Sequence, residues 1–313
     1  MKTFFNLIRI KHWVKNTFII APLIFSLKLF DLTKLTKSII AFFSFSFVAS
    51  LVYIINDIKD KENDAQHSIK SERPIASGRV KPLFALLLGI FMALIGFISS
   101  FYFLGFISSI IILLYFFINV SYSFFLKKIA ILDVFIIAVG FCIRVLLGAA
   151  SIEVRLSNWM LLATFAISLI IGFGKRRHEL EILGTEAVNH RDNLGDYNKK
   201  FLDIMIIIST ALTAISYALY TMDQDVIAFF KVKTLIFTVP FVLFGLFRYL
   251  FLIYCKGKGG SPVDLVIKDP GIIISVILWL LVILIMIYYR NIYDLLNIDL
   301  DIIENLKSYL INK

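Results

Sequence analysis

Apolar runs recur along this chain about nine times, each roughly 16–23 residues long, the length an α-helix needs to cross a bilayer. They fall near residues 17–33, 38–56, 82–102, 105–121, 130–150, 157–173, 201–222, 233–255 and 271–290. Backbone polar groups in lipid must be satisfied within a segment, so the runs are expected as helices, and a sheet of such strands is excluded. Hydrophobic residues make up 59% of the chain and the mean hydropathy is +0.88, against about 45–50% apolar residues in a soluble domain. The expectation is an all-α polytopic membrane protein of about nine transmembrane helices. One helical domain is expected over residues 1–290, and an external tail over 291–313. The tail alternates Leu and Ile with Asp and Glu, as an amphipathic surface helix does. The run at 17–33 is the weakest. Almost nothing separates the third and fourth runs, around Tyr102–Gly105, which points to a tight helical hairpin.

The formal charge of +10 is first a topology signal. About two-thirds of the 32 lysines and arginines fall on one side of the runs. The positive-inside rule makes that side cytoplasmic, with the amino terminus inside, the carboxyl terminus outside, and loops 57–81 and 174–200 in the cytoplasm. That is the arrangement of an inner, cytoplasmic membrane protein. Nucleic-acid binding is not expected, because no soluble basic domain is long enough to fold. Cys142 and Cys255 stand alone in apolar surroundings, which indicates neither a disulfide framework nor a thiolate metal site. The start of the chain, with Arg9, Lys11 and Lys15, reads as the entry to an uncleaved first span.

A polar island, Asn56 to Gly78, interrupts this pattern between two apolar runs. Asp57, Asp60 and Asp64 are spaced i, i+3 and i+7, so on a continuous helix they share one face. Asn56 and His67 lie near the same stripe, and Lys70 and Arg73 follow. Three converging carboxylates repel one another unless a cation neutralises them, and such hard oxygen ligands suit Mg²⁺. The alternative is a solvated loop whose charges only set topology.

Three other segments carry polar groups on the same side. Arg9 to Asn16 is basic and aromatic, and fits an interfacial anchor equally well. In Tyr122 to Ala149, Lys127, Asp133 and Arg144 accompany a span. Arg144 either pairs with an aspartate of the first loop, holds a substrate phosphate, or forms a buried pair that fixes packing. In Gly172 to Gly184, Lys175, Arg176 and Arg177 are consecutive and cannot all face one way, while Glu179 lies four residues after Lys175. Asp192 and Asp196 could form a second metal site or a capped loop.

The pattern N-D-x-x-D-x-x-x-D-x-x-H followed by K-x-x-R-P-I-A-S-G resembles the UbiA-type intramembrane prenyltransferase superfamily. Its members carry such aspartates between spans two and three to bind Mg²⁺ and a pyrophosphate. Three further stretches resemble its decaprenyl-phosphate phosphoribosyltransferase branch: Arg9 with His12-Trp13-Val14-Lys15-Asn16, Tyr122-Ser123 with Leu126-Lys127 and Leu132-Asp133-Val134, and Gly174-Lys175-Arg176 with Glu179-Leu180. Two departures stand out. Ser68 replaces a usual proline. Gly174-Lys175-Arg176-Arg177 occupies the place of the second aspartate motif of aromatic prenyltransferases, exchanging a metal site for an anion site.

The resemblance implies Mg²⁺ on Asp57, Asp60 and Asp64, and a catalytic trio of Asp57, Asp60 and Lys175. It implies substrate contacts from Lys15, Asn56, Lys70, Arg73, Tyr122, Lys127, Asp133, Arg144, Arg176 and Arg191. The expected partners are phosphoribosyl pyrophosphate and a polyprenyl phosphate, with 5-phosphoribose transferred between them. Two readings compete: prenyl transfer from a polyprenyl diphosphate to an aromatic or other small acceptor, and a transporter gated by the polar island. The transporter reading lacks the internal repeat and mid-span polar groups usual there.

Overall fold

The computed structural model describes residues 2–66, 70–183, 192–256, 265 and 268–295. Among these the chain is helical and carries eight helices long and apolar enough to cross a membrane. It divides into two compact units, Met1–Thr213 and Ala214–Lys313. The protein is an integral membrane protein.

The first unit opens with α1 (Lys2–Leu7), a 3₁₀ helix (Ile10–Ile19) and α2 (Ala21–Phe25). These are followed by α3 (Leu32–Lys59), α4 (Lys61–Gln66), α5 (Pro82–Leu104), α6 (Phe106–Phe124), α7 (Leu132–Ile152) and α8 (Asn158–Leu183). The unit boundary falls within α9 (Lys199–Met222).

The weakest apolar run is where the helix breaks. Arg9 and Leu27 take positive φ values of 52° and 58°, and Pro22 lacks an N–H. The broken segment still runs the length of α3, antiparallel to it. Arg9 meets Asp57, Trp13 Nε1 donates to Ser50 Oγ at 3.2 Å, and Asn16 Nδ2 donates to Ser46 Oγ at 2.9 Å. Asp31 then caps the far end of α3, accepting from the Lys34 amide at 3.1 Å. The described residues thus hold eight long helices where about nine were expected, the first expected span being this broken segment. Irregular backbone is tolerated at membrane depth only where protein buries it, and α3 and α7 do so here. Gly148 on α7 is a glycine for this reason, since a Cβ there would collide with the Ile19 carbonyl.

Large residues face outward and small ones inward, the reverse of a soluble helix. Along α5, Phe84, Leu87, Phe91, Leu94 and Phe101 are exposed, while Ala85, Gly89, Ala93, Gly96 and Ser100 are buried. Lipid is as apolar as leucine, so helices associate through close packing of small residues. A Cβ on Gly96 would sit 2.6 Å from the Ser44 carbonyl oxygen of α3. The expected hairpin between α5 and α6 turns on Gly105 alone, at φ 88°.

The second unit holds α10 (Gln224–Phe230), α11 (Val239–Tyr254) and α12 (Pro270–Leu295). Ser275 Oγ donates to the Phe241 carbonyl at 2.6 Å, joining α11 to α12. Arg248 of α11 forks onto both oxygens of Asp269 at 3.1 and 3.0 Å. Residues 296–313 of the expected external tail lie outside the described residues.

Candidate functional site

The aspartates gather at the C-terminal end of α3, but not on one continuous helix. Helix α3 ends at Lys59, Asp60 stands in the break with φ −91°, and α4 restarts at Lys61. Asp57 and Asp64 are buried and both bind Nη1 of Arg73, Asp57 at 3.0 Å. Asp57 also receives Arg9, whose Nε lies 3.2 Å from Oδ2. Asp60 is held instead by Lys127 Nζ, at 2.7 and 2.9 Å to its two oxygens. The expected continuous helix is thus interrupted at Asp60: Asp57 and Asp64 still meet through Arg73, and Asp60 turns aside to Lys127.

The stretch after α4 explains why Arg73 arrives there. Ile75 is buried with Leu7, Ile54 and Ala85, and Gly78 closes the turn at φ 73°. Ser77 donates its amide and hydroxyl to the Arg73 carbonyl, at 2.9 and 2.7 Å. Lys70 begins a short 3₁₀ helix before it. Lys127 sits in another, Leu126–Lys128, between α6 and α7.

A second charged cluster lies where α7 meets α8. Arg176 and Asp133 are fully buried, with Arg176 Nε 2.6 Å from Asp133 Oδ2. Arg176 also binds Glu179, and its Nη2 has no partner among the described residues. Tyr197 donates to Asp133 at 2.8 Å and accepts the Ile131 amide at 2.5 Å. Ile131 is β-branched yet has φ 66°, a strained position that the surroundings must hold. Burial, with Asp133 adjacent, pushes the Tyr197 phenol above its usual range, so it stays a proton donor. Arg177 is also engaged, with Asp203 at 2.6 Å and Glu181 at 3.1 Å. Lys175 differs: its side chain is 53% exposed and reaches Glu179 only at 3.8 Å. Of the three consecutive bases it is the one open to solvent.

Arg144 lies deeper and does not join the aspartates. Its Nε donates to Asn16 Oδ1 at 2.8 Å and its Nη1 to the Gly140 carbonyl at 2.6 Å, among the rings of Phe45, Tyr115 and Phe141. Lys15, half-buried, lies close to Arg144, Arg9 and Tyr53. Asn56 and Tyr122 are half-buried near the ends of α3 and α6. Arg191, His67 and Ser68 lie outside the described residues, and Asp196 is exposed.

Sequence reasoning missed Arg9 as a site residue because a basic residue before an apolar run reads as an anchor. Its contact with Asp57 spans 48 positions. Tyr197 gives no sequence signal at all.

The UbiA prenyltransferase family profile matches residues 17–174, just over half the chain. The chain belongs to the UbiA prenyltransferase family. As a member it is a transferase. It is 28% identical over 288 residues to the decaprenyl-phosphate phosphoribosyltransferase of Mycolicibacterium smegmatis, covering 87% of this chain and 88% of that protein. It is also 28% identical over 291 residues to the enzyme of that name from Corynebacterium glutamicum, covering 90% and 85%. A UbiA homolog from Archaeoglobus fulgidus, solved bound to DMAPP and Mg²⁺, superposes with a TM-score of 0.66. That match covers 88% of this chain and 96% of the other at 15% identity, and it shows the shared fold.

The acidic end of α3 in this UbiA-family chain has the chemistry to take a hard cation. Two buried carboxylates share a single guanidinium nitrogen, so a positive charge already stands between them. Among the described residues no three acidic or histidine side chains converge closely enough to enclose an ion by themselves. Waters and substrate oxygens would complete such a shell, as is usual for Mg²⁺.

Proposed function

We propose that this UbiA-family protein transfers 5-phosphoribose from phosphoribosyl pyrophosphate to a polyprenyl phosphate, with the aspartate end of α3 facing the cytoplasm. The observation that carries the reading is the charge balance around that end. Arg9, Arg73 and Lys127 hold the aspartates, and Lys15 and Lys175 lie within electrostatic reach of His12, beside Arg9. At the cytoplasmic end of α8 the carboxylates Asp133 and Glu179 are taken up by Arg176. A donor carrying both a pyrophosphate and a 5-phosphate suits an excess of cations. The names of the relatives that match nearly the whole chain support the same donor and acceptor.

Asp57 and Asp64, with Asp60 beside them, would hold Mg²⁺, which when bound draws charge from the pyrophosphate oxygens. Arg73 would then move its guanidinium from the carboxylates onto phosphate, and Arg9 would keep Asp57 oriented. Lys175, more than half exposed, would meet a further phosphate. The acceptor phosphate is already ionised and needs no strong general base. One of its oxygens forms a bond to ribose C1 as the C1–O bond to pyrophosphate breaks, and that electron pair leaves with pyrophosphate. Inversion at C1 gives a β-linked lipid phosphoribose.

Transfer from a polyprenyl diphosphate is the second reading, favoured by the DMAPP-bound homolog. It would need a second metal site, from Asp192 and Asp196. Thermal protection separates the two. With Mg²⁺ present, phosphoribosyl pyrophosphate should raise the unfolding midpoint more than geranyl diphosphate does; the opposite order would favour prenyl transfer.

A further inference from the structure

Cations explain how phosphates would be held, but not how a sugar would be distinguished from a prenyl chain. His12 sits among those cations, on the 3₁₀ helix at the level of the last turns of α3. Its ring leans on Tyr53, with centroids 5.4 Å apart at 52°, and Arg9 lies over the same Tyr53 ring at 5.2 Å. Tyr53 is one helical turn before Asp57. The imidazole is half-exposed, and neither ring nitrogen hydrogen-bonds to a described residue. Lys15, Arg9, Lys175 and Arg73 all lie close enough to act on it electrostatically. His12 therefore stands beside Arg9 against Tyr53, one helical turn along α3 from Asp57.

We propose that His12 is the specificity-determining residue that accepts a hydrogen bond from a ribose hydroxyl of the donor. This rests on the phosphoribosyl reading. The surrounding lysines and arginines can only donate, so they suit phosphate oxygens and offer nothing to a hydroxyl proton. A neutral imidazole keeps one lone pair free for that proton. Arg9 over the same Tyr53 ring disfavours a second positive charge beside it, which leaves the imidazole neutral and able to accept. The transferred group of a prenyl diphosphate has no hydroxyl, so His12 would give it no such bond.

The test uses the full-length protein in detergent with phosphoribosyl pyrophosphate and its 2-deoxy and 3-deoxy analogues. His12→Phe keeps a ring against Tyr53 and removes both nitrogens. It should raise the apparent KM for the natural donor on the order of three- to tenfold, leaving the KM for polyprenyl phosphate unchanged. One deoxy donor should show no further loss in the variant, because its missing hydroxyl is the group His12 binds. His12→Gln, which retains an acceptor, should recover most of the affinity. If His12→Phe does not fold, His12→Leu carries the same expectation. Equal losses on all three donors would make His12 structural and overturn the proposal. Unchanged kinetics would overturn it too, while leaving phosphoribosyl transfer intact. No turnover of phosphoribosyl pyrophosphate by the unaltered protein would overturn the parent reading and this one together.

Discussion

Lys175 and Arg176 are neighbours of the same charge, yet their removal should fail in opposite ways. The Arg176 side chain is 0% exposed and lies 2.6 Å from Asp133, which is also 0% exposed. Arg176→Ala would leave a buried carboxylate without its counter-charge, a loss on the order of 3–5 kcal/mol. Tyr197 would still donate its hydrogen bond to Asp133. A loss of that size is a large part of a typical domain's stability, so the unfolding midpoint should fall by many degrees. Lys175 is 53% exposed and its contact with Glu179 is long, so after solvent screening Lys175→Ala should change stability by only about 0–1 kcal/mol. Its effect should fall on substrate. A charge-assisted hydrogen bond to phosphate is worth on the order of 1.5–3 kcal/mol, which raises the apparent KM for the donor roughly 10- to 150-fold. Thermal unfolding of both variants in one detergent, with kinetics varying donor and lipid separately, reads both effects. A thermally unaffected Arg176→Ala would refute the buried-pair argument. Unchanged donor kinetics in Lys175→Ala would remove Lys175 from the site, and a raised KM for lipid phosphate alone would reassign it to the acceptor.

Two further outcomes follow from packing and charge. Asp57→Asn keeps the shape between Arg9 and Arg73 but removes the anionic ligand, and should lower turnover about a hundredfold or more; a near-normal rate at saturating Mg²⁺ would remove Asp57 from the metal role. Gly96→Val should separate α5 from α3 and destabilise the protein by about 1–3 kcal/mol, and an unchanged unfolding midpoint would count against that close approach.

The helices were legible because their signal is local: a run of apolar residues long enough for a bilayer needs no knowledge of the rest of the chain. The Asp57–Asp60–Asp64 cluster was legible for the same reason. The distribution of those carboxylates was not. It depends on Arg9, Arg73 and Lys127, which lie 48, 16 and 67 positions from their partners. Nor could spacing reveal the break at Asp60 that sends one carboxylate to Lys127. The first pass reads as a weak helix, and its breaks fall at Arg9 and Leu27, with positive φ, and at Pro22, while Ser46 and Ser50 of α3 take up Asn16 and Trp13 across 30 and 37 positions. In the basic triplet, sequence geometry required the three side chains to diverge. Asp133 takes Arg176 inward and Asp203 takes Arg177, which leaves Lys175 facing out.

The most direct measurement of phosphoribosyl transfer follows a label. Purified protein is incubated with phosphoribosyl pyrophosphate labelled in the ribose, a polyprenyl phosphate and Mg²⁺, and the mixture is extracted into organic solvent. Label should enter the lipid phase, with one pyrophosphate released for each labelled lipid. Label that stays in the aqueous phase, while polyprenyl diphosphate is consumed in parallel with an aromatic acceptor, would contradict phosphoribosyl transfer and establish prenyl transfer in its place.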